Sequence, residues 1–325
     1  MIKVDIQKRL YESMVLIRYA EEAIGDYRRD GIIKTPCHLY IGQEAIAVGV
    51  CDVLNKDDTV WGTHRSHGHY LAKGANLNQM MAEVFGRYTG CSKGRGGSMH
   101  LVAPQEGILG TVPIVAATIP IAVGAALAYS MKREARVSVP FFGDGSTEEG
   151  HFFESMNLAA IYKLPVVFVL ENNLQASHMH LLERRSSDNL DRLGDFYNMP
   201  SERVDGNDVQ AVRDCAEKAV LKARNGDGPS IIEARTFRWR GHVDWREDDD
   251  VGLLREDTLS MWKPAKCPIE LLKRQMLARG VEQNYFNEAD RKISIRVEDA
   301  IEYSINSPAP DDTQLLTHVF VNSAR

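Results

Sequence analysis

The residues best equipped for chemistry are a carboxylate and an amide that each close an apolar run. Asp144 lies between two glycines in FFGDGSTEEG, Asn173 ends VVFVLENN, and 28 residues separate them. A carboxylate and an amide oxygen are hard ligands of the kind Mg²⁺ takes in small number, leaving its other positions to phosphate oxygens and water. The glycines at 143 and 145 let the backbone approach a phosphate closely. Either motif alone reads as an ordinary turn or strand end; together, at this spacing, they define a site. Two other clusters are weaker. His64, His67 and His69 could hold a metal but have no acidic or cysteine companion nearby in sequence. Lys93 and Arg95 decorate a glycine-rich stretch, GCSKGRGGSM, whose spacing matches neither a P-loop nor a dinucleotide turn. GDGSTEEG brings its third glycine two residues too late for GxGxxG, which disfavours a nicotinamide enzyme.

These groups need a scaffold that brings them together. VSVPFF (137–142) is a short apolar run ending in a glycine turn, and HFFESMNLAAIYK places Phe152, Met156, Ala159 and Ala160 on one helical face. Pro165 then precedes the second apolar run, VVFVLE. A strand, helix, strand unit implies parallel strands, and runs without polar alternation imply a sheet covered on both faces. The fold class expected is therefore α/β with a doubly wound parallel sheet. Asp144 and Asn173 then emerge at the carboxyl ends of neighbouring strands, where such sheets bind ligands. Periodicity also predicts helices over residues 5–30, with Asp5 as N-cap, and over 43–54, 77–87, 208–224, 268–279 and 288–306.

Composition narrows the function. The chain has 325 residues, 44% of them hydrophobic and 26% charged, enough for one large core or two modest ones. A net charge of −6 excludes the broad basic footprint of a nucleic-acid binder. The five cysteines, Cys37, Cys51, Cys91, Cys215 and Cys267, form no CxxC pair, as expected of reduced thiols. The first residues mix charge into their apolar positions and contain no signal-like run, which points to a cytoplasmic protein. Residues 112–129 carry no charge and are nearly long enough to span a bilayer. They contain Pro113 and Pro120 and lack flanking aromatic belts, so they read as a buried loop and helix under the site. The acidic run Glu247 to Asp250 reads as a solvated loop.

Asp144 and Asn173 in this spacing resemble the thiamin diphosphate motif of the α subunits of 2-oxo acid dehydrogenase E1 components. The resemblance extends through PCHLYIGQEA (36–45), THRSHGHYLAKG (63–74), GCSKGRGGSMHL (90–101) and TIPIAVGAALA (118–128), in order, over about residues 5–245. Pyruvate and acetoin dehydrogenase α subunits are both similar; the branched-chain type, which usually lacks the Cys-His of PCHLY, is less so. The resemblance implies a single thiamin diphosphate-binding domain over 1–325 with a helical C-terminal extension.

It also implies roles. Asp144, Asn173 and the backbone carbonyl of Gln175 would ligate Mg²⁺. Arg65 and His64 would meet the diphosphate along with Gly145 and Ser146, and Val115 would approach the aminopyrimidine. His38, His67 and His242 would line the reaction centre. The implied partner is an E1 β subunit in an α₂β₂ heterotetramer, with a lipoyl-bearing E2 protein as acyl acceptor and a small 2-oxo acid such as pyruvate as substrate. Acetoin cleavage, a biosynthetic carboligase and an inert regulatory homologue are the alternatives. Two segments depart from the family pattern together, LQASHMHLLERRSS after Asn173 and VDWREDDD after His242, and Ala116-Ala117 stands where relatives often have two glycines. The two altered segments lie on the substrate side, whereas Ala116-Ala117, with Pro113, bears on the cofactor contact.

Overall fold

The structure is a computed structural model that describes residues 2–248, 251–252, 256–314 and 317. It opens with α1 (Val4–Arg29), which buries Leu10, Met14, Ile17 and Ile24 as their helical spacing predicts. The N-cap is Lys3, not Asp5. Asp5 sits inside the first turn, where its charge complements the helix dipole rather than closing the helix. There follow α2 (Glu44–Cys51), β1 (Thr59–Gly62), α3 (His67–Ala72), α4 (Leu77–Val84), β2 (Ile108–Thr111), α5 (Thr118–Lys132), β3 (Ser138–Gly143), α6 (Gly150–Ile161) and β4 (Val167–Asn172). A short antiparallel hairpin, β5 (Gln175–Ala176) and β6 (Met179–His180), leads into α7 (Leu181–Arg184). β7 (Ser201–Asp205), α8 (Val209–Arg224) and β8 (Ser230–Arg235) complete the sheet, and α9 (Glu256–Lys266), α10 (Pro268–Ala278) and α11 (Gln283–Asn306) form the C-terminal helices.

The six-stranded sheet runs β2-β1-β3-β4-β8-β7 with every pairing parallel. Side chains alternate between its faces with the period of two that a strand imposes. Val139, Phe141, Val167 and Val169 join one core with α1, α2 and α8, while Phe142, Val166, Phe168 and Leu170 join the other with α5 and α6. Both faces are thus dry, which is why these strands read as unbroken apolar runs.

The structure departs from the periodicity in helix ends and in burial, and α2 stops at Cys51, short of the expected 54. α4 stops before Arg87 because Gly86, at φ 68°, leaves the helical region just past its end. α11 starts at Gln283, ahead of Glu288; its first turn is polar, but Phe286 is fully buried with its ring 5.0 Å from that of Tyr11. The uncharged stretch 112–129 is only half buried. Ile119, Ala122, Val123 and Ala126 face the core, whereas Ile114, Val115 and Ile121 are 68%, 49% and 50% exposed. The stretch is apolar on two sides because only one of them packs on this chain's own sheet. Among the described residues no helix is long and apolar enough to cross a membrane.

Candidate active site

The register of β3 against β4 builds the site. Gly143 pairs with Glu171, so Asp144 and the asparagines emerge side by side at the carboxyl ends of the two strands. Strand parity then separates Asn172 from Asn173. Asn172 turns into the sheet, its Nδ2 donating to Glu233 Oε1 at 2.7 Å. Asn173 turns to the pocket; its Nδ2 donates to Gln43 Oε1 at 2.8 Å, which leaves Oδ1 as the acceptor, 3.1 Å from the Gln175 amide. Asp144 is 1% exposed. Burial pushes its carboxyl above the ordinary range, and the Arg184 guanidinium, which donates to both Asp144 and Glu148, opposes that shift. The flanking glycines serve different ends. A Cβ on Gly145 would come within 2.9 Å of Ala176 Cβ, so that glycine lets the β5–β6 hairpin close on the turn; one on Gly143 would meet nothing within 4 Å.

A cavity of about 220 Å³ is lined by His38, His64, Arg65, Val115, Asp144, Gly145, Ser146, Asn173, Gln175 and His242. These come from the ends of β1, β2, β3, β4 and β8 and from the loop before α2, so residues far apart in sequence meet where the strands stop. Ala116, buried next to the lining residue Val115, has φ 60° and occupies the left-handed region, the conformation for which glycine is the ordinary choice.

His67 is placed elsewhere. It is fully buried behind the pocket, with Nδ1 2.9 Å from Glu21 Oε2 and Nε2 2.9 Å from Ser98 Oγ. As the first residue of α3 it is turned toward α1 rather than along the loop that carries His64. His69 is also buried, 3.0 Å from Glu171 and stacked on Phe141 at 4.2 Å. The close-spaced trio His64, His67 and His69 is therefore dispersed, and a different trio assembles. One ring nitrogen each from His38, His64 and His242 lies within 4.8 Å of the others. Burial, and then the nearby Arg65 cation, pushes His38 and His64 down to about 2 and His242 down to about 3, from an ordinary 6.5. All three are neutral imidazoles at neutral pH. Arg65 holds the two backbones that carry them, donating to Leu39 O at 2.6 Å and His242 O at 3.0 Å.

Several contributors escape a reading by spacing. Gln43 orients Asn173, and Glu171 receives the Tyr40 hydroxyl; both lie inside PCHLYIGQEA or ENN, where motif length was the available signal. Asp248 is 3% exposed, accepts the His242 N–H at 2.7 Å and pairs with Arg238 at 3.1 Å, so it is not a solvated charge. Glu247 does reach solvent at 43% exposure, and residues 249 and 250 of the same acidic run lie outside the described residues. The glycine-rich loop cradles an anion after all, but one of its own. The buried Glu83 carboxylate accepts the N–H groups of Ser92, Gly94, Gly96 and Gly97 at 2.7, 2.9, 2.7 and 3.1 Å.

A buried carboxylate, an oriented amide oxygen and glycine-flanked backbone thus meet at the carboxyl edge of a parallel sheet, the place where open α/β folds bind their ligands. The chain belongs to the dehydrogenase E1 component family, which matches residues 11–312. The α subunit of acetoin:2,6-dichlorophenolindophenol oxidoreductase from Bacillus subtilis (strain 168) is 40% identical, over 96% of this chain and 93% of the relative. The pyruvate dehydrogenase E1 α subunit of Porphyra purpurea is 38% identical over 97% and 92%, and that of Rhizobium meliloti (strain 1021) 35% over 96% and 89%. Family membership implies thiamin diphosphate as cofactor and makes the chain an E1 α subunit, part of an oxidoreductase. Relatives that are α subunits imply a β partner.

Proposed function

We propose that this chain, assembled with a β subunit as an α₂β₂ heterotetramer in the cytoplasm, decarboxylates pyruvate or a similar short 2-oxo acid and transfers the acyl unit. The observation that carries the reading is the β3–β4 register, which sets Asp144 beside Asn173 over a buried floor. The residues fit the cofactor and its metal. Asp144 is a buried carboxylate paired in this chain with the Arg184 guanidinium, Asn173 has its oxygen fixed as the acceptor, and Gln175 Oε1 is buried without a partner among the described residues. Asp144, Asn173 and the Gln175 carbonyl would hold Mg²⁺. Gly145, Ser146, His64 and Arg65 would receive the diphosphate, Arg65 as a charge-assisted donor.

When bound, thiamin diphosphate supplies an electron sink for the carbanion equivalent left by loss of CO₂. The chain's own part is position and protons. His38, His64 and His242, neutral at the far wall, can accept a proton at a ring nitrogen or donate one through an N–H. Arg65 fixes the backbones on which two of them stand. The cavity falls short of the roughly 300–1,000 Å³ usual for small-molecule sites, and Ile114 and Val115 stand exposed at its rim. A half-site of this kind needs a second chain to close it and exclude water.

Acetoin cleavage is the second reading, favoured by the Bacillus subtilis relative. The altered β5–α7 and post-His242 segments bear on the acceptor, so transfer to a lipoyl-bearing E2 is expected to be poor relative to transfer to a small carbonyl compound. The test uses the α/β complex. Calorimetric titration with thiamin diphosphate and Mg²⁺ should show at least a tenfold loss of affinity in Asp144→Asn, about 1.4 kcal/mol. Turnover of pyruvate and of acetoin with an artificial electron acceptor then separates the substrates. Unchanged Mg²⁺-dependent affinity in Asp144→Asn would remove the assignment.

A further inference from the structure

We propose that His38, His64 and His242 form a second metal site, lined by nitrogen and selective for Zn²⁺-class divalent ions, whose occupation reversibly shuts the reaction centre. It is distinct from the oxygen ligands at Asp144 and Asn173; binding of the ion does not depend on the reading given under Proposed function, whereas the shutting of the reaction centre rests on it.

The donor set comes first. Three imidazoles, each offering one ring nitrogen within 4.8 Å of the other two, form the one such cluster of histidine, cysteine and carboxylate ligands found among the described residues. Imidazole suits Zn²⁺, Co²⁺, Ni²⁺ and Cu²⁺, whereas Mg²⁺ takes oxygen. Ring centroids 4.6, 5.1 and 5.4 Å apart place the rings around a common point rather than along a line. His38 is 9% exposed and its Nδ1 has no hydrogen-bond partner among the described residues, so a buried lone pair or N–H is left unsatisfied there. Zinc–nitrogen bonds of about 2.0–2.1 Å put tetrahedral ligand atoms about 3.4 Å apart, so closing the trio takes ring rotations of roughly an ångström. The cavity in front of the rings leaves the fourth position open to water.

Charge works in both directions. The Arg65 and Arg238 guanidiniums lie close enough to lower the histidines and would repel a cation. The Asp248 carboxylate, bonded to the backbone N–H of His242, and the Asp144 and Glu171 carboxylates on the cavity wall offset them. The same burial that lowers the imidazoles keeps their lone pairs free of protons, so metal need not compete with H⁺ at neutral pH. Binding weaker than that of a closed structural zinc site, and easily reversed by a chelator, follows from the cationic neighbours. An imidazole whose lone pair is coordinated cannot take a proton, so the ion and turnover exclude one another.

Co²⁺ is the probe, because nitrogen-ligated four-coordinate Co²⁺ absorbs strongly in the visible while oxygen-ligated six-coordinate Co²⁺ does not. Titrating it into the cofactor-free full-length chain should give one equivalent of the strong visible bands. The bands should persist in Asp144→Asn and in a hundredfold excess of Mg²⁺, disappear on adding Zn²⁺, and be absent in His38→Gln and His242→Gln. A second measurement needs no variant: one equivalent of Zn²⁺ should protect His38, His64 and His242 from diethylpyrocarbonate, read by peptide mass spectrometry. Absent bands, bands that survive both histidine substitutions or vanish in Asp144→Asn, or unprotected modification of all three rings would overturn the proposal.

Discussion

The guanidinium of Arg184, at the end of α7, rests on the carboxylate of Asp144, the residue expected to hold the metal. Both side chains are nearly dry, at 7% and 1% exposure. Arg184 is thus the resident counter-charge of an otherwise isolated buried carboxylate, and a metal ion must displace it or share with it. In Arg184→Gln the metal-free protein should lose about 1–3 kcal/mol, below the cost of stranding a fully buried charge because Asp144 can take up a proton. The gain in melting temperature on adding Mg²⁺ and thiamin diphosphate should be larger than in the unmodified protein. Scanning calorimetry with and without the pair checks both, and an equal response would mean that Arg184 does not compete.

The three lowered histidines set a pH dependence of defined sign. Their folded values of about 2, 2 and 3 lie below the ordinary 6.5. Between those limits the unfolded chain binds more protons, so stability rises with pH. The contribution is present above about pH 6.5 and is lost as pH falls toward 3. Each ring sets a ceiling of about 1.4 kcal/mol per pH unit, lower for the partly exposed His64 and His242. The melting temperature should therefore drop from pH 7 to pH 5, and His38→Gln should flatten that slope. Parallel slopes in the two proteins would be the contrary result.

His67 should behave as a positioning residue. Removing its bonds to Glu21 and Ser98 in His67→Leu leaves a buried carboxylate short of a partner, a loss of about 2–4 kcal/mol. The shape of the pH–rate profile should stay as it is, while His38→Gln changes turnover with a smaller loss of stability. Denaturant midpoints and pH profiles measured on both variants distinguish the roles; a shifted profile in His67→Leu would bring that histidine into the chemistry.

Glu83 organises four backbone amides of the glycine-rich loop. Hydrogen bonds to a charged group are each worth about 1.5–3 kcal/mol, and water recovers part of that in a half-exposed loop. Glu83→Ala should cost about 3 kcal/mol overall and speed hydrogen exchange at residues 92–97 by at least tenfold. Unchanged exchange there would show that the glycines hold their shape without the carboxylate.

The parts of the fold legible in sequence were those set by local periodicity. β3, α6 and β4 announce themselves because both sheet faces are dry, and the Asp144–Asn173 spacing survives folding because it spans one strand-helix-strand unit. The trio of His38, His64 and His242 could not be read that way, since its members reach one another only through strand order. His67 lies apart from His64 because, three residues on, the chain enters a helix, and the side chain swings inward. The exposure of Ile114, Val115 and Ile121 was hidden for a different reason: an apolar run carries no mark of which chain will cover it.

Asn172 and Asn173 make opposite use of adjacent positions, one bracing the sheet through Glu233 and the other facing the cavity through Gln43. Their assignment rests on counting residues along β4, not on chemistry, because both are asparagine. Deleting one residue from that strand would leave the ENN motif intact on paper while sending each amide to the other's place. Descendants of this sequence can therefore vary β4's apolar side chains within volume limits, but length changes between residues 166 and 173 should be purged. Insertions and deletions should instead collect in the stretch between α7 and β7, where no strand register counts the residues.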